Sequence, residues 1–341
     1  MGLFESRVIL RNSVSIQAPS IEDDEEKEYM SGSGYRLIPQ PKIHAMQGTN
    51  TFPVIDAALA RSLVADQFPH WAGLPVRLVA RSGWDNRTFR LGRHMLVRMP
   101  SAADYAGQVA KEHRWLPQLA PLLPLVIPEP LAMGTPALAY PWHWSVYRWI
   151  EGGTAGRGTI ADMDAFAASL ACFLLALQRI DAAEGPAPGL HSFHRGAGLA
   201  VYDTQARRAM AALQGNLDSN AATRIWEAGL ASAWIAKPVW AHGDISAGNL
   251  LVRHGRLHAV IDFGQLTTGD PACDAVIAWT LFHAKNRKAF QEGLAFDAAT
   301  WARARAWALW KAMIVAAGFV ETNAVEWSKP WHVIREVLAD Q

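Results

Sequence analysis

The sequence has little that would place it among disulfide-stabilised, zinc-binding or nucleic-acid-binding proteins. It contains only two cysteines, Cys172 and Cys273, which lie far apart and have no cysteine or histidine nearby at metal spacing. We therefore expect neither a disulfide nor a zinc site, and two reduced thiols are typical of a cytoplasmic protein. A formal net charge of +1 gives no strong attraction to nucleic acid or to an anionic membrane.

Long apolar runs are also lacking, because no stretch reaches the roughly 20 residues that a membrane-spanning helix needs. The most apolar segment, 166–177, is flanked by Asp162 and Arg179 and predicts a buried helix. The first ten residues contain Glu5 and Arg7, so they lack the apolar core of a signal peptide. The expected partner is a small molecule, with no nucleic acid and no membrane, and the expected assembly is a monomer or homodimer.

The composition changes along the chain and suggests three segments. Residues 1–45 contain an acidic run at 22–26 and a serine–glycine stretch at 31–34, which disfavour a packed core. We expect 1–45 to form a disordered tail. Beyond it, a strand-rich part over 46–150 is followed by a mostly helical part over 151–341, which predicts an α+β protein with two lobes.

The pattern of apolar residues predicts the elements of the first lobe. Asp56 is placed to cap a helix, since apolar residues then recur at helical spacing. Further elements are expected as strands at 76–80, 87–91, 95–99 and 145–150, with a turn at 92–93 and a helix at 102–119.

The strongest chemical pattern lies in the second lobe. A His-Gly-Asp triplet ends at Asp244, Asn249 follows five residues later, and an Asp-Phe-Gly triplet begins at Asp262. Two apolar strands, 250–252 and 258–261, separate them and predict a tight hairpin, which would bring all three residues to one end. Asn249 and Asp262 can supply the oxygen ligands that Mg²⁺ prefers. The remaining carboxylate, that of Asp244, can accept a proton from a substrate hydroxyl. The pattern therefore predicts phosphoryl transfer.

This arrangement resembles the aminoglycoside phosphotransferase family, whose members are kinase-fold enzymes with H-G-D-x-x-x-x-N and D-F-G segments. The resemblance covers roughly residues 55–320. It implies a protein-kinase-like fold with a small, strand-rich, nucleotide-binding N-terminal lobe and a larger, helical, catalytic and substrate-binding C-terminal lobe. It also implies that Asp244 is the catalytic base and that Asn249 and Asp262 bind Mg²⁺.

The resemblance extends upstream to the nucleotide site. The segment 82–91 is similar to the family's nucleotide-covering loop and the strand after it. Arg98 stands where the family usually has a phosphate-binding lysine, and Glu112 is the candidate to pair with it. The strand around Tyr147 would present backbone groups to the base. The implied nucleotide-binding residues are Arg98, Glu112, Gly83, Asn86, Tyr147 and Trp149.

Other residues of the second lobe are expected to be structural. Asp270 and Asp274 lie in a Gly-Asp-Pro-Ala-Cys-Asp segment that is also similar to the family, and there they would brace the catalytic loop. His242 matches a mainly structural position. The tryptophans at 301, 307 and 310 lie on a predicted helix over 298–315 and favour the core, with an acceptor cleft as the alternative.

The predicted activity is transfer of the γ-phosphoryl group of ATP or GTP to a small-molecule hydroxyl, on an antibiotic or a metabolite. Aminoglycosides are polycations and call for an acid-rich cleft. Residues 186–240 hold three acids against five bases, and 275–341 hold six against eight. A less charged acceptor, such as a macrolide or a sugar, is thus at least as well supported as an aminoglycoside.

Two other classes of protein remain as alternatives. One is a nucleotide-binding pseudokinase or regulatory protein of the same fold. The other is a protein kinase, which is disfavoured because the segment at 269–271 follows Asp-Phe-Gly too closely to leave room for an activation segment.

Overall fold

The structure, a computed structural model, describes residues 54–79, 85–156, 158–320 and 329–340. The predicted tail over 1–45 and Gly83 lie outside these ranges, so both stay predictions. None of the helices in the described ranges is long and apolar enough to cross a membrane.

An antiparallel sheet dominates the first part of the chain. Its elements are α1 (Ala57–Gln67), β1 (Val76–Leu78), β2 (Asn86–Leu91), β3 (Met95–Pro100), α2 (Ala103–Leu119), β4 (Pro130–Gly134) and β5 (Trp144–Arg148). The five strands lie in the order β1-β2-β3-β5-β4. The predicted strands and helices are confirmed, except that β1 ends at Leu78 and β5 at Arg148, before the predicted ends at 80 and 150.

Helix α1 packs on this sheet because its start is capped and one of its faces is apolar. The Asp56 carboxylate accepts the backbone N–H groups of Ala58 and Leu59 at 2.9 and 2.8 Å, which satisfies donors that have no partner within the helix. Leu63 and Phe89 belong to one buried cluster shared by helix and sheet. The sheet therefore has a small core of its own.

The second part of the chain is mainly helical. Its elements are β6 (Gly153–Thr154), α3 (Met163–Arg179), α4 (Asp203–Ala212), α5 (Ser219–Ala231), β7 (Val239–Ala241), β8 (Leu250–Arg253), β9 (Arg256–Val260), β10 (Thr267–Gly269), α6 (Ile277–Thr280), α7 (Ala284–Leu294), α8 (Ala298–Ala316) and α9 (Pro330–Ala339). Strands β6, β8 and β9 form one small sheet, and β7 pairs with β10.

Helices α3 and α8 carry the larger core. The predicted buried segment 166–177 lies within α3, which packs against α7. On α8, Trp307 and Trp310 are buried, and the ring of Tyr202 lies 4.7 and 4.2 Å from theirs, centroid to centroid. Trp301 is half-buried beside Phe296. The expected core role of these tryptophans is therefore confirmed.

The predicted hairpin is formed by β8 and β9. Their turn consists of His254 and Gly255, both at positive φ, which is the pairing that a two-residue turn between twisted strands requires. At the other end of the hairpin, the N–H of Ile261 donates to the carbonyl oxygen of Asn249 at 2.9 Å. Asn249 therefore lies beside the residue that precedes Asp262.

The close approach of β4 to β5 leads to a stability prediction. A Cβ atom at Gly134 would lie 2.0 Å from Trp144 Cε2, and this tryptophan is fully buried. We expect Gly134→Ala to lower the free energy of unfolding by about 1–3 kcal/mol through overpacking, as measured by chemical denaturation.

The matched control is Gly107→Ala in α2, where an added Cβ meets nothing within 4 Å. This change is expected to leave stability unchanged or raise it by up to about 1 kcal/mol, because alanine favours helix over glycine. Equal stabilities of the two variants would contradict the packing described for Gly134.

Candidate active site

The loop between β7 and β8 is held from behind by a buried carboxylate. The backbone N–H groups of His242 and Gly243 each donate to one oxygen of Asp274, both at 2.7 Å. Burial raises the pKa of Asp274 to about 7, although the two N–H donors favour its charged form. Asp274 thus contacts the loop in the bracing manner that was predicted for it.

Asp270, the second predicted brace, acts on a different element. Its carboxylate pairs with the Arg303 guanidinium of α8 at 2.6 Å, and both side chains are 3% exposed. It also caps the turn that follows, by accepting the N–H of Ala272. Asp270 therefore ties α8 to the segment that carries Asp274.

His242 links the loop to the end of β9. Its Nε2 lies 3.1 Å from the carbonyl oxygen of Ile261, and the N–H of Asp244 donates to its Nδ1 at 3.2 Å. This pair of contacts requires a neutral ring with the proton on Nε2. Burial lowers the pKa of His242, which favours the same neutral form. His242 is therefore structural, as the resemblance implies.

Gly243 is required by the tight course of the backbone before Asp244. Its φ is +86°, and an added Cβ would lie 2.6 Å from the carbonyl oxygen of Gln265. An L side chain is thus excluded both by conformation and by space. This turn presents the Asp244 carboxylate on the open side of the loop, where its side chain is 30% exposed.

Asn249 holds Asp244 in place. Its amide nitrogen donates to the Asp244 carbonyl oxygen at 2.9 Å and to Oδ2 of the same residue at 3.2 Å. Because the amide nitrogen is used in this way, the amide oxygen is the atom of Asn249 that can bind a metal ion. One side chain therefore orients the carboxylate and offers a ligand beside it.

Asp262 adopts a backbone conformation that is strained for a residue with a side chain. Its φ and ψ are +67° and +69°. The Arg98 guanidinium lies 2.7 Å from its Oδ1. Burial alone would raise the pKa of Asp262, but the charge and hydrogen bond of Arg98 hold it below the usual range. The carboxylate is therefore ionised and suited to a cation.

Arg98 also binds a second carboxylate. Its Nη1 lies 3.1 Å from Oε1 of Glu112, whose side chain is 4% exposed. The phenol of Tyr147 donates to the other oxygen of Glu112. The predicted Arg98–Glu112 pair is thus present, and it joins β3, α2 and β5 to the residue that follows the hairpin.

Asp85 is a site residue that the sequence analysis did not single out. Burial, and after it the charges of Asp262 and Asp244, raise its pKa to about 7, so the Asp85 carboxyl group is within electrostatic range of both. The backbone oxygen of Asp85 accepts the N–H of Ser101 at 2.9 Å. The sequence feature that could have indicated Asp85 is its position just before β2, within the segment similar to a nucleotide-covering loop.

The remaining predicted nucleotide-binding residues lie around this group. Asn86 is buried at the start of β2, opposite Pro100 of β3. The Trp149 ring lies under the Arg90 guanidinium, 3.6 Å from ring centroid to Cζ, and the backbone N–H of Trp149 donates to the His94 carbonyl oxygen. The side chain of Tyr147 is directed to Glu112, so its contact with a nucleotide stays a prediction, as do those of Asn86 and Trp149.

The neutral His242 leads to a prediction on pH. An unfolded imidazole takes up a proton near pH 6.5, whereas the folded one does so only at lower pH. The unfolded chain therefore binds more protons, and the stability that His242 contributes is present above pH 6.5 and lost below it. We expect the loss of unfolding free energy from pH 7.5 to 5.5 to be smaller in His242→Gln than in the wild type.

The difference between the two proteins is expected to reach at most about 1.4 kcal/mol per pH unit. Chemical denaturation followed by tryptophan fluorescence at several pH values measures it. The variant is also expected to be less stable at pH 7.5, since a buried hydrogen-bonding ring is lost. Parallel pH profiles for variant and wild type would show that His242 does not titrate differently on folding.

The sequence profile of the phosphotransferase enzyme family matches residues 77–307, which is more than half of the chain. No curated protein sequence matches it.

Several solved structures have a similar fold. The GDP complex of aminoglycoside 2'-phosphotransferase-IIIa matches with a TM-score of 0.62 and 17% identity, covering 84% of this chain and 99% of that one. The streptomycin–ATP ternary complex of APH(2'')-IIa gives 0.54 and 19%, covering 84% and 97%. Macrolide 2'-phosphotransferase MphH from Brachybacterium faecium gives 0.53 and 21%, covering 84% and 98%. These likenesses confirm the α+β, protein-kinase-like fold.

Proposed function

The chain belongs to the phosphotransferase enzyme family and is a kinase-type enzyme, and we propose that it transfers the γ-phosphoryl group of ATP or GTP to a hydroxyl of a weakly charged small molecule. The observation that carries this proposal is the grouping of Asp244, Asn249 and Asp262 at one end of the β8–β9 hairpin. One solved structure of similar fold contains GDP, and another contains ATP together with streptomycin.

The donor set fits a magnesium ion. Asp262 offers an ionised carboxylate, and Asn249 offers an amide oxygen. Burial and the charges of Asp262 and Asp244 raise the pKa of Asp85, and a divalent cation would relieve the repulsion among these carboxylates. When bound, Mg²⁺ would neutralise charge on the nucleotide phosphates.

Arg98 is the residue proposed to bind the phosphates. Its two terminal nitrogens contact Glu112 and Asp262, which fixes the plane of the guanidinium. Each terminal nitrogen carries two N–H donors, so the planar group can bind a phosphate oxygen as well. The arginine would thus take over the role of the lysine that the family usually has.

Asp244 is proposed as the base. In the transfer, the acceptor hydroxyl oxygen forms a bond to the γ-phosphorus while the bond from phosphorus to the β–γ bridging oxygen breaks. The bridging oxygen leaves with the electron pair as part of the nucleoside diphosphate. The hydroxyl proton passes to the carboxylate of Asp244, which Asn249 orients.

In the family, the helices that flank the catalytic segment build the acceptor cleft. The charges of those segments here, 186–240 and 275–341, argue against a polycationic acceptor. In residues 186–240, all three acids already have partners: Asp203 and Glu227 both pair with Arg207, and Asp218 caps α5. Asp203 and Glu227 share one arginine and keep one net negative charge, so these acids attract an aminoglycoside ammonium group less than free carboxylates would.

The same holds for the acids of the C-terminal helices in the described residues. Each one pairs with a base or caps a helix: Glu292 with Lys288, Glu336 and Asp340 with Arg287, and Asp297 at the start of α8. The structure therefore supports a neutral or weakly charged acceptor, such as a macrolide or a hydroxylated metabolite.

A nucleotide-binding protein without catalytic activity is the alternative. Such a protein has no need for an oriented carboxylate next to the metal ligands, and here Asn249 holds Asp244 through two hydrogen bonds. This arrangement favours an active enzyme, and turnover measurements separate the two possibilities.

The test of the proposed function is a nucleotide-turnover screen. ATP and GTP with Mg²⁺ are offered against aminoglycosides, macrolides and hydroxylated metabolites, and mass spectrometry identifies a product that carries one added phosphoryl group. We expect Asp244→Asn to reduce turnover of the acceptor found by on the order of 10²-fold or more, while the nucleotide affinity persists.

The control for this variant is Asp66→Asn, a change of an exposed aspartate on α1, which is expected to keep wild-type turnover. Near-normal turnover in Asp244→Asn would refute the role of the base. Absence of turnover by the wild type with every compound of the panel would favour the nucleotide-binding alternative.

A second variant tests the metal ligand. Asp262→Ala removes the carboxylate proposed to bind Mg²⁺, so the affinity for ADP in the presence of Mg²⁺ is expected to fall at least about tenfold and to lose its dependence on Mg²⁺. Calorimetric titration with and without Mg²⁺ measures this, and a melting curve shows that the variant is folded. An unchanged, Mg²⁺-dependent affinity would contradict the assignment.

A further inference from the structure

A lysine from a distant helix reaches the proposed base. Lys311 lies on α8, and its ammonium nitrogen is 3.8 Å from Oδ1 of Asp244. Its side chain is 23% exposed, and one residue before it Trp310 is buried in the core. Because the neighbouring side chain anchors this turn of α8, the ammonium group is held at the open face of the catalytic loop.

The contact between Lys311 and Asp244 is an ion pair without a direct hydrogen bond. The nitrogen–oxygen distance of 3.8 Å is within ion-pair range but longer than a direct hydrogen bond of 2.7–3.2 Å. Meanwhile the other carboxylate oxygen, Oδ2, accepts the hydrogen bond from Asn249. Lys311 therefore stands on the side of the carboxylate where the acceptor hydroxyl must approach.

Other cations near the site have different partners. The loop over 242–249 contains no lysine or arginine. Arg98 binds Glu112 and Asp262. Arg195 donates to Gln265, and its guanidinium lies over the ring of Trp307. Within the described part of the chain, the ion pair that reaches Asp244 is the one made by Lys311.

We propose that Lys311 provides the positive charge at the point of phosphoryl transfer, next to the acceptor hydroxyl. This inference rests on the proposed function. While the hydroxyl proton moves to Asp244 and the phosphoryl group leaves the nucleoside diphosphate, negative charge spreads over the phosphoryl oxygens. The ammonium group keeps its proton throughout and stabilises that charge, as a preorganised cation does in a partly enclosed site.

The same charge bears on the choice of acceptor. An ammonium group beside the reacting hydroxyl repels a substrate that carries its own cations there, whereas it accepts a neutral or anionic one. Lys311 therefore favours a weakly charged acceptor, as do the paired acids of the segments 186–240 and 275–341.

The test compares Lys311→Met with Lys311→Arg, and Lys288→Met serves as control. Lys288 is an exposed lysine on α7 that pairs with Glu292. The probe is hydrolysis of ATP and of GTP with Mg²⁺, with water as acceptor, together with any acceptor found in the screen. Calorimetry with the non-hydrolysable β,γ-imido analogue of ATP reports nucleotide binding separately.

Lys311→Met is expected to lower kcat by on the order of 10²-fold, with the nucleotide KM and the affinity for the analogue within about threefold of wild type. Lys311→Arg, which keeps the charge, is expected to recover most of the lost rate. Lys288→Met is expected to match the wild type. The split between kcat and KM and the rescue by arginine distinguish a role in transfer from one in packing.

Three results would overturn the inference. If Lys311→Met turns over nucleotide at close to the wild-type rate, Lys311 has no part in the transfer, and the proposed function stands without it. If its melting temperature and nucleotide affinity fall along with the rate, or if Lys311→Arg is as slow as Lys311→Met, the role is structural. If the wild type turns over neither nucleotide with any acceptor, the proposed function fails and this inference fails with it.

Discussion

The arginine that joins two buried or half-buried carboxylates is the interaction on which the site depends. Arg98 extends from β3 of the first sheet and contacts Glu112 of α2 and Asp262 beyond the β8–β9 hairpin. Its charge keeps the pKa of Asp262 low in surroundings that would otherwise raise it. Because the three side chains come from separate elements, the groups proposed to bind phosphate and metal are arranged by a single cation.

Around this centre, buried polar groups hold the loop. His242 is buried without charge, and burial raises the pKa of Asp274 to about 7 while it binds two loop N–H groups. Buried polar groups stabilise a conformation only when their hydrogen bonds are satisfied. The loop is thus anchored where it meets the core, while the side chain of the proposed base, Asp244, stays 30% exposed.

Helix α8 connects the core to the proposed base. Trp307 and Trp310 anchor it, Arg303 binds Asp270 of the bracing segment, and Lys311 extends to Asp244. The acids of the neighbouring segments are paired with bases or serve as caps. The resulting charge distribution suits phosphoryl transfer to a weakly charged acceptor better than to a polycation.

The sequence by itself determined the sheet, the hairpin and the grouping of Asp244, Asn249 and Asp262, because short-range spacing and a two-residue turn dictate that register. The Arg98–Glu112 pair followed only from a resemblance. Only the tertiary structure decided that Asp85 is exposed to the charges of the two other aspartates and that Lys311 reaches Asp244. Those contacts join elements far apart in the chain, and helix packing, which local patterns do not encode, brings them together.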